Sequence, residues 1–71
     1  MYYNKYIKMT TKGLKIGDKV LYDDGVLQFE AIVVNITSTT KAHIKALSYV
    51  NEIYNPHTCV NDYRKFMTII K

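Results

Sequence analysis

His57 and Cys59 stand two residues apart. On a strand that spacing sets both side chains on one face, where an imidazole can act as base towards a thiol. No third side chain that would orient the imidazole is evident, and Cys59 reads more simply as a small buried apolar residue. Asp23 and Asp24 are adjacent carboxylates, but with Gly25 behind them they read as a turn. One cysteine and two histidines do not make a four-ligand metal set. His43, His57 and Cys59 would hold a metal only in a site shared between subunits. The chain also lacks a glycine-rich phosphate loop. The expectation is a protein that is not an enzyme and that uses no metal and no cofactor.

A different chemistry is better represented. Lys41, His43 and Lys45 alternate along an expected strand, with Lys41 at its mouth, so their side chains project from one face. Tyr49 follows on that face. Arg64 and Lys65 cap an expected turn, beside Tyr63. Cations interleaved with aromatic rings are what single-stranded nucleic acid uses, because charge tracks the phosphates and rings stack on bases. The plainer alternative is a solvated face of lysines whose stems lie along apolar surface. The candidate ligand-binding set is Lys41, His43, Lys45, Tyr49, Tyr63, Arg64 and Lys65. Replacing Lys45 and Arg64 with Glu is expected to abolish partner binding without unfolding the domain.

The elements that must carry these residues are mostly strands. Lys12-Gly13 and Ile16-Gly17-Asp18 read as bends, and residues 19–22 as a short strand. Asp24-Gly25 supplies the positive φ of a tight turn. Residues 29–37 are rich in β-branched side chains and form the strongest strand. Ile32, Val34 and Ile36 share one face of it, and Phe29, Ala31 and Val33 share the other. Val34 is assigned to the core, so that Val34→Asp should unfold the protein. Residues 38–41 are a polar hairpin connection. In residues 42–49, Ala42, Ile44 and Ala46 face inward, which leaves Leu47 and Tyr49 exposed. Asn55-Pro56-His57 is a loop, residues 58–60 a short strand, and residues 61–64 a turn or a single 3₁₀ turn. Residues 66–70 form the last strand. Residues 1–12 read as an arm or an extra strand, although Tyr2, Tyr6 and Met9 would also line one helical face. Tyr2, Tyr3 and Tyr6 suit an oligomer contact or a lid over the core.

At 71 residues the chain is one domain with a marginal core. Its support must come from tight packing or from association, because a single cysteine closes no disulfide. Seven tyrosines and two phenylalanines exceed what so small a core can hide, so some rings serve as surface contacts. The net charge of +4 admits a polyanionic partner, either nucleic acid or an acidic protein surface. Neither an apolar leader nor a membrane-length run is present, and the expected location is cytoplasmic, with no membrane partner. The abundance of Lys, Ile, Tyr and Asn is the bias of AT-rich genomes, bacteriophages of low-GC hosts among them.

About five short strands, with a tight turn before the last, is the order of an SH3-like barrel. The expected fold is all-β: a small five-stranded SH3-like barrel over residues 13–71 with a short N-terminal arm over residues 1–12. Gly17-Asp18-Lys19-Val20, Asp24-Gly25, Phe29-Glu30-Ala31, Val33 and Ile36 resemble the opening of a Tudor-type domain. Ser48-Tyr49-Val50-Asn51 is similar to that family's Asp-Tyr-Gly-Asn segment, with Ser48 for the Asp and Val50 for the Gly. The resemblance spans roughly residues 14–70. It implies that Tyr22, Phe29 and Tyr49 form an aromatic cage for a methylated cation. Val50 departs from the pattern, because a β-branched residue resists the positive φ that the glycine supplies.

The expected function is that of a small binding protein, encoded by a phage or mobile element. It would block nucleic acid, a nucleoprotein or a host defence enzyme. One alternative is a homo-oligomer that sequesters an anionic small molecule, such as a nucleotide, between subunits, with Lys41, His43, Lys45 and Arg64 supplying charge. Others are a Tudor-like methyl reader and a structural component of a particle. Salt separates the first two, because phosphate contacts weaken steeply with ionic strength and enclosed charges do not.

Overall fold

The computed structural model describes residues 13–70. The reading of residues 1–12 as an arm, strand or lid lies outside the described residues. Strand β1, Lys19–Asp23, turns Val20 and Tyr22 inward and leaves Lys19 and Asp23 exposed. The turn after it forms where Asp-Gly predicts it. Gly25 has φ +93°, which a residue without Cβ adopts at no steric cost. Asp24 Oδ1 accepts the backbone N–H groups of Leu27 (2.8 Å) and Val26 (2.9 Å). Those two bonds, Leu27's first, hold the Asp24 carboxyl below the ordinary carboxylate range. Its contribution to stability is therefore complete above that range and fades as pH falls through the depressed value.

Strand β2, Gln28–Ile36, pairs antiparallel with β1 on one side and with β3, Lys41–Ala46, on the other. Phe29 lies opposite Tyr22, Ala31 opposite Val20 and Ala46, and Val33 opposite Ile44; all seven are buried. The inward face of β2 is thus Phe29, Ala31 and Val33. The assignment of Val34 to the core is corrected: Val34 and Ile32 are only half-buried. They alternate with the inward Ala31 and Val33, and only beyond them does the register shift, between Val33 and Asn35. One extra residue reverses the parity of a strand whose side-chain period is two. Ile36, opposite Ala42, thereby returns to the core side and packs against it.

Strand β3 alternates as its sequence predicts, with Ala42, Ile44 and Ala46 buried. It ends at Ala46 rather than running on to Tyr49, because the chain then enters a loop with hydrogen bonds of its own. Val50 and Asn51 donate their N–H groups to the Tyr54 carbonyl, and Asn51 Oδ1 accepts from the N–H groups of Ile53 and Tyr54. Asn55 is buried and donates Nδ2 to the carbonyls of Asn51 and Glu52, 3.0 Å each. Its Oδ1 accepts the His57 N–H, and its carbonyl the Thr58 N–H.

Strand β4, Cys59–Tyr63, pairs with β3. Residues 61–63 are therefore strand and not the expected turn. Pairing with Lys41, Ala42 and His43 outweighs the turn preference of Asn61-Asp62. Arg64–Phe66 form a 3₁₀ turn, and β5, Met67–Ile69, returns to pair with β1. The described chain is all-β, an antiparallel five-stranded sheet in the order β4-β3-β2-β1-β5, compatible with a small β-barrel. No helix among the described residues is long and apolar enough to cross a membrane.

The corrected face is testable by paired substitutions. Val33→Asp places an unpaired carboxylate in the core and should cost about 4 kcal/mol or more, enough to unfold so small a domain. Val34→Asp should cost about 1 kcal/mol and leave the far-UV circular dichroism of the folded protein unchanged. The reverse outcome would return Val34 to the interior.

Candidate functional site

Because Ala42, Ile44 and Ala46 are packed inward, the alternate residues Lys41, His43 and Lys45 emerge half-exposed on the outer face of the sheet. On β4 the same alternation turns Val60 and Asp62 inward and Cys59, Asn61 and Tyr63 outward. Pairing of the two strands sets Lys41 opposite Tyr63, His43 opposite Asn61 and Lys45 opposite Cys59. The end of the sheet where β3 begins and β4 finishes therefore concentrates the expected contact residues.

Tyr63 is the centre of that end, with its side chain 45% exposed. The Lys41 ammonium lies 4.6 Å from its ring centroid and that of Lys65 5.6 Å. Phe66 meets the Tyr63 ring edge-on at 6.1 Å, and Lys65 lies 5.3 Å from the Phe66 ring. A ring's negative face attracts a cation, so Tyr63 holds both ammonium groups near its ring. Arg64 adds a third cation. Its backbone N–H donates to the Thr40 carbonyl (2.8 Å), and its Nη1 donates to the Ser38 carbonyl (3.1 Å). Ser38 Oγ in turn accepts from the N–H groups of Thr40 and Lys41, which fixes the β2–β3 connection. Thr37 Oγ1 donates to Asn61 Oδ1 at 2.8 Å, tying the connection to β4. Between these walls lies a half-open groove of about 400 Å³, lined by Thr39, Thr40, Tyr63, Arg64 and Lys65.

Of the seven expected contact residues, Lys41, Tyr63, Arg64 and Lys65 form this cluster, and His43 and Lys45 continue from it along β3. Tyr49 does not belong to it. It follows the far end of β3, in the loop, and is 67% exposed. Beyond the strand end the two-residue period no longer dictates a face. Thr39 and Thr40 were not expected as site residues. Their polar run reads only as a hairpin, and nothing local tells that Arg64 and Lys65 close over it.

The His57–Cys59 pair is corrected as well. His57 sits in the turn that Asn55 organises, while Cys59 begins β4 with its side chain exposed, so the shared strand face does not exist. Cys59 is likewise not the small buried residue that its type implies. Among the described residues no group of three or more His, Cys, Asp and Glu is placed to hold a metal ion.

A second cluster is internal. Tyr22 and Phe29 are buried and stacked at 4.8 Å between centroids. The ring that completes their group is Tyr54, 5.4 Å from Tyr22 and 4.9 Å from Phe29, and not the Tyr49 that the resemblance names. Asp62 Oδ2 accepts from the hydroxyls of Tyr54 (2.5 Å) and Tyr22 (3.0 Å), and Asp24 Oδ2 lies 3.2 Å from the Tyr22 hydroxyl. Burial above all, then the contacts with Tyr54 and Asp62, raises the Tyr22 hydroxyl far above the ordinary tyrosine pKa. Burial and then Asp62 raise that of Tyr54. No sequence signal marks this network, since Asn61-Asp62 reads as a turn; pairing with β3 turns Asp62 inward, where its carboxylate needs donors.

Comparisons with protein-family models, with curated proteins and with solved structures each find no match to this chain.

The internal network makes stability fall at alkaline pH. A hydroxyl whose pKa is raised by folding keeps its proton when the unfolded chain has lost its own. Its contribution is complete below pH ~10 and declines above it, by at most about 1.4 kcal/mol per pH unit for each such tyrosine. Tyr22→Phe should cost about 1–3 kcal/mol at pH 7, through the bond lost to a carboxylate. That cost should shrink as pH rises above 10, because the variant has one fewer raised hydroxyl. Urea unfolding followed by circular dichroism from pH 7 to about pH 11 reads both effects; a cost that stays constant across that range would remove Tyr22 from the network.

Proposed function

We propose that this domain is a binding module without chemistry of its own. It takes single-stranded nucleic acid across the face formed by Lys41, His43, Lys45, Tyr63, Arg64 and Lys65. One observation carries the reading: an exposed tyrosine ring with two ammonium groups against it and a guanidinium beside it, at the mouth of an open groove. Single strands are bound by that combination, since any base can stack on the ring while the cations meet the backbone phosphates. The net charge of +4 favours the same partner.

The strand order β4-β3-β2-β1-β5, with a 3₁₀ turn just before β5, supports reading the sheet as an SH3-like barrel. That fold hosts many unrelated functions, so the site and not the architecture supports the reading. In this reading the protein acts by occupation. A small basic domain on a strand denies it to an enzyme or nucleoprotein that must travel along it, as befits an inhibitor carried by a phage or mobile element.

The test is a salt titration of binding to a labelled single-stranded oligonucleotide. With three or four phosphates neutralised, affinity should fall about 20–50-fold between 50 and 200 mM salt. Replacing Lys45 and Lys65 with Glu leaves the Arg64–Ser38 bond in place, and should weaken binding about tenfold or more with the fold intact. Full-strength binding by that double variant overturns the assigned face. Tight binding of a small anion that ignores salt would point instead to an enclosed site between subunits.

A further inference from the structure

We propose that the groove lined by Thr39, Thr40, Tyr63, Arg64 and Lys65 is a subsite for one nucleotide unit. It holds a base against Tyr63 and the attached phosphate against Arg64 and the two lysines. The inference rests on the single-strand reading and deepens it, because it sets how much of a strand one domain grips. It also implies that a free nucleoside monophosphate occupies the same place.

Size is the first argument. A groove of about 400 Å³ lies near the small end of the clefts that take discrete small molecules. One base with its sugar and phosphate is a ligand of that scale. A duplex is not, since its bases are stacked inside the helix and would reach Tyr63 only by being flipped out at a cost.

The second argument is how the charges are stored. Lys41 and Lys65 lie 4.6 and 5.6 Å from the ring centroid of Tyr63. A base that stacks on this ring must displace an ammonium from it. The displaced group remains on a flexible stem beside the groove, where the phosphate joined to that base now lies. The cation–π contact thus keeps positive charge near the site before the ligand arrives, and its loss on binding is offset by an ion pair. The bond from Arg64 Nη1 to the Ser38 carbonyl tethers its guanidinium at the groove wall.

The third argument concerns selectivity. Apart from backbone, the groove offers two threonine hydroxyls, one phenol and two cations. Among the described residues no carboxylate, Asn or Gln lines it to read adenine or cytosine, and the cations that could read guanine are taken up by the phosphate. The subsite should therefore accept all four bases with similar affinity and should require the phosphate.

The experiment is amide NMR of the full chain, titrated separately with adenosine monophosphate, adenosine, inorganic phosphate, a single-stranded oligonucleotide and its duplex. The monophosphate should shift the signals of Thr39, Thr40, Tyr63, Arg64 and Lys65 at millimolar concentration and displace the oligonucleotide. Adenosine and phosphate alone should each bind at least tenfold more weakly. Tyr63→Leu should lose the monophosphate response about tenfold, and Tyr63→Phe should keep it. If the oligonucleotide shifts these amides and the monophosphate does not, the one-nucleotide subsite is refuted while the single-strand reading stands. If neither shifts them, both are refuted. Phosphate binding as tightly as the monophosphate would make the groove a plain anion site and overturn the role of Tyr63.

Discussion

The extra residue between Val33 and Asn35 keeps the two halves of β2 turned to the same core. β2 is the longest strand and the one whose two neighbours, β1 and β3, both depend on its register. Before the bulge, Phe29, Ala31 and Val33 point inward; after it, Ile36 does. Without that insertion Asn35 would face the core and Ile36 would face water. With it, Ile36 meets Ala42 on the core side, in step with β3, whose own alternation turns Lys41, His43 and Lys45 outward. The bulge thus lets β2 follow the full length of β3 without exposing Ile36.

β4 transmits that register to the site. Its inward residues, Val60 and Asp62, join it to the interior, and Asp62 does so through the hydroxyls of Tyr22 on β1 and Tyr54 in the long loop. Its outward residue Tyr63 carries the ring that gathers Lys41 and Lys65. Adjacent residues of one strand therefore serve opposite ends. A phenol–carboxylate network holds β4 against the core, and that hold keeps the neighbouring ring in a constant position at the groove. In a domain with few buried side chains, a satisfied polar network adds positional definition that apolar packing alone supplies weakly. The loop of residues 47–58 contributes to the same end, since Asn51 and Asn55 fix its backbone and so deliver Tyr54 to Asp62.

Several features were legible because they are local. Asp24-Gly25 encodes its turn through the positive φ of the glycine and the acceptor atoms of the aspartate. Ala42, Ile44 and Ala46 announce an inward face by their spacing, and Lys41, His43 and Lys45 follow as its complement. Other features were not. Val34 and Ile36 look equivalent in the chain, yet the bulge places them on opposite sides. Asn61 and Asp62 favour turns in isolation, but the ladder with β3 draws them into a strand. Tyr49 and Tyr54 are similar rings five residues apart, and only the loop's hydrogen bonds decide which enters the core.

From its residues alone this chain determined an all-β domain, a row of cations on one strand face, and a basic, aromatic cluster around residues 63–65. Each follows from period, propensity or neighbouring side chains, which are properties of short stretches. The tertiary structure alone decided that Tyr63 stands opposite Lys41, that Thr39 and Thr40 form the facing wall, and that Asp62 turns inward to two phenols. Those contacts join residues separated by some 20 to 40 positions, and pairing register fixes them. Register is a collective outcome of the whole ladder, including the bulge in β2, and no short stretch of sequence carries it.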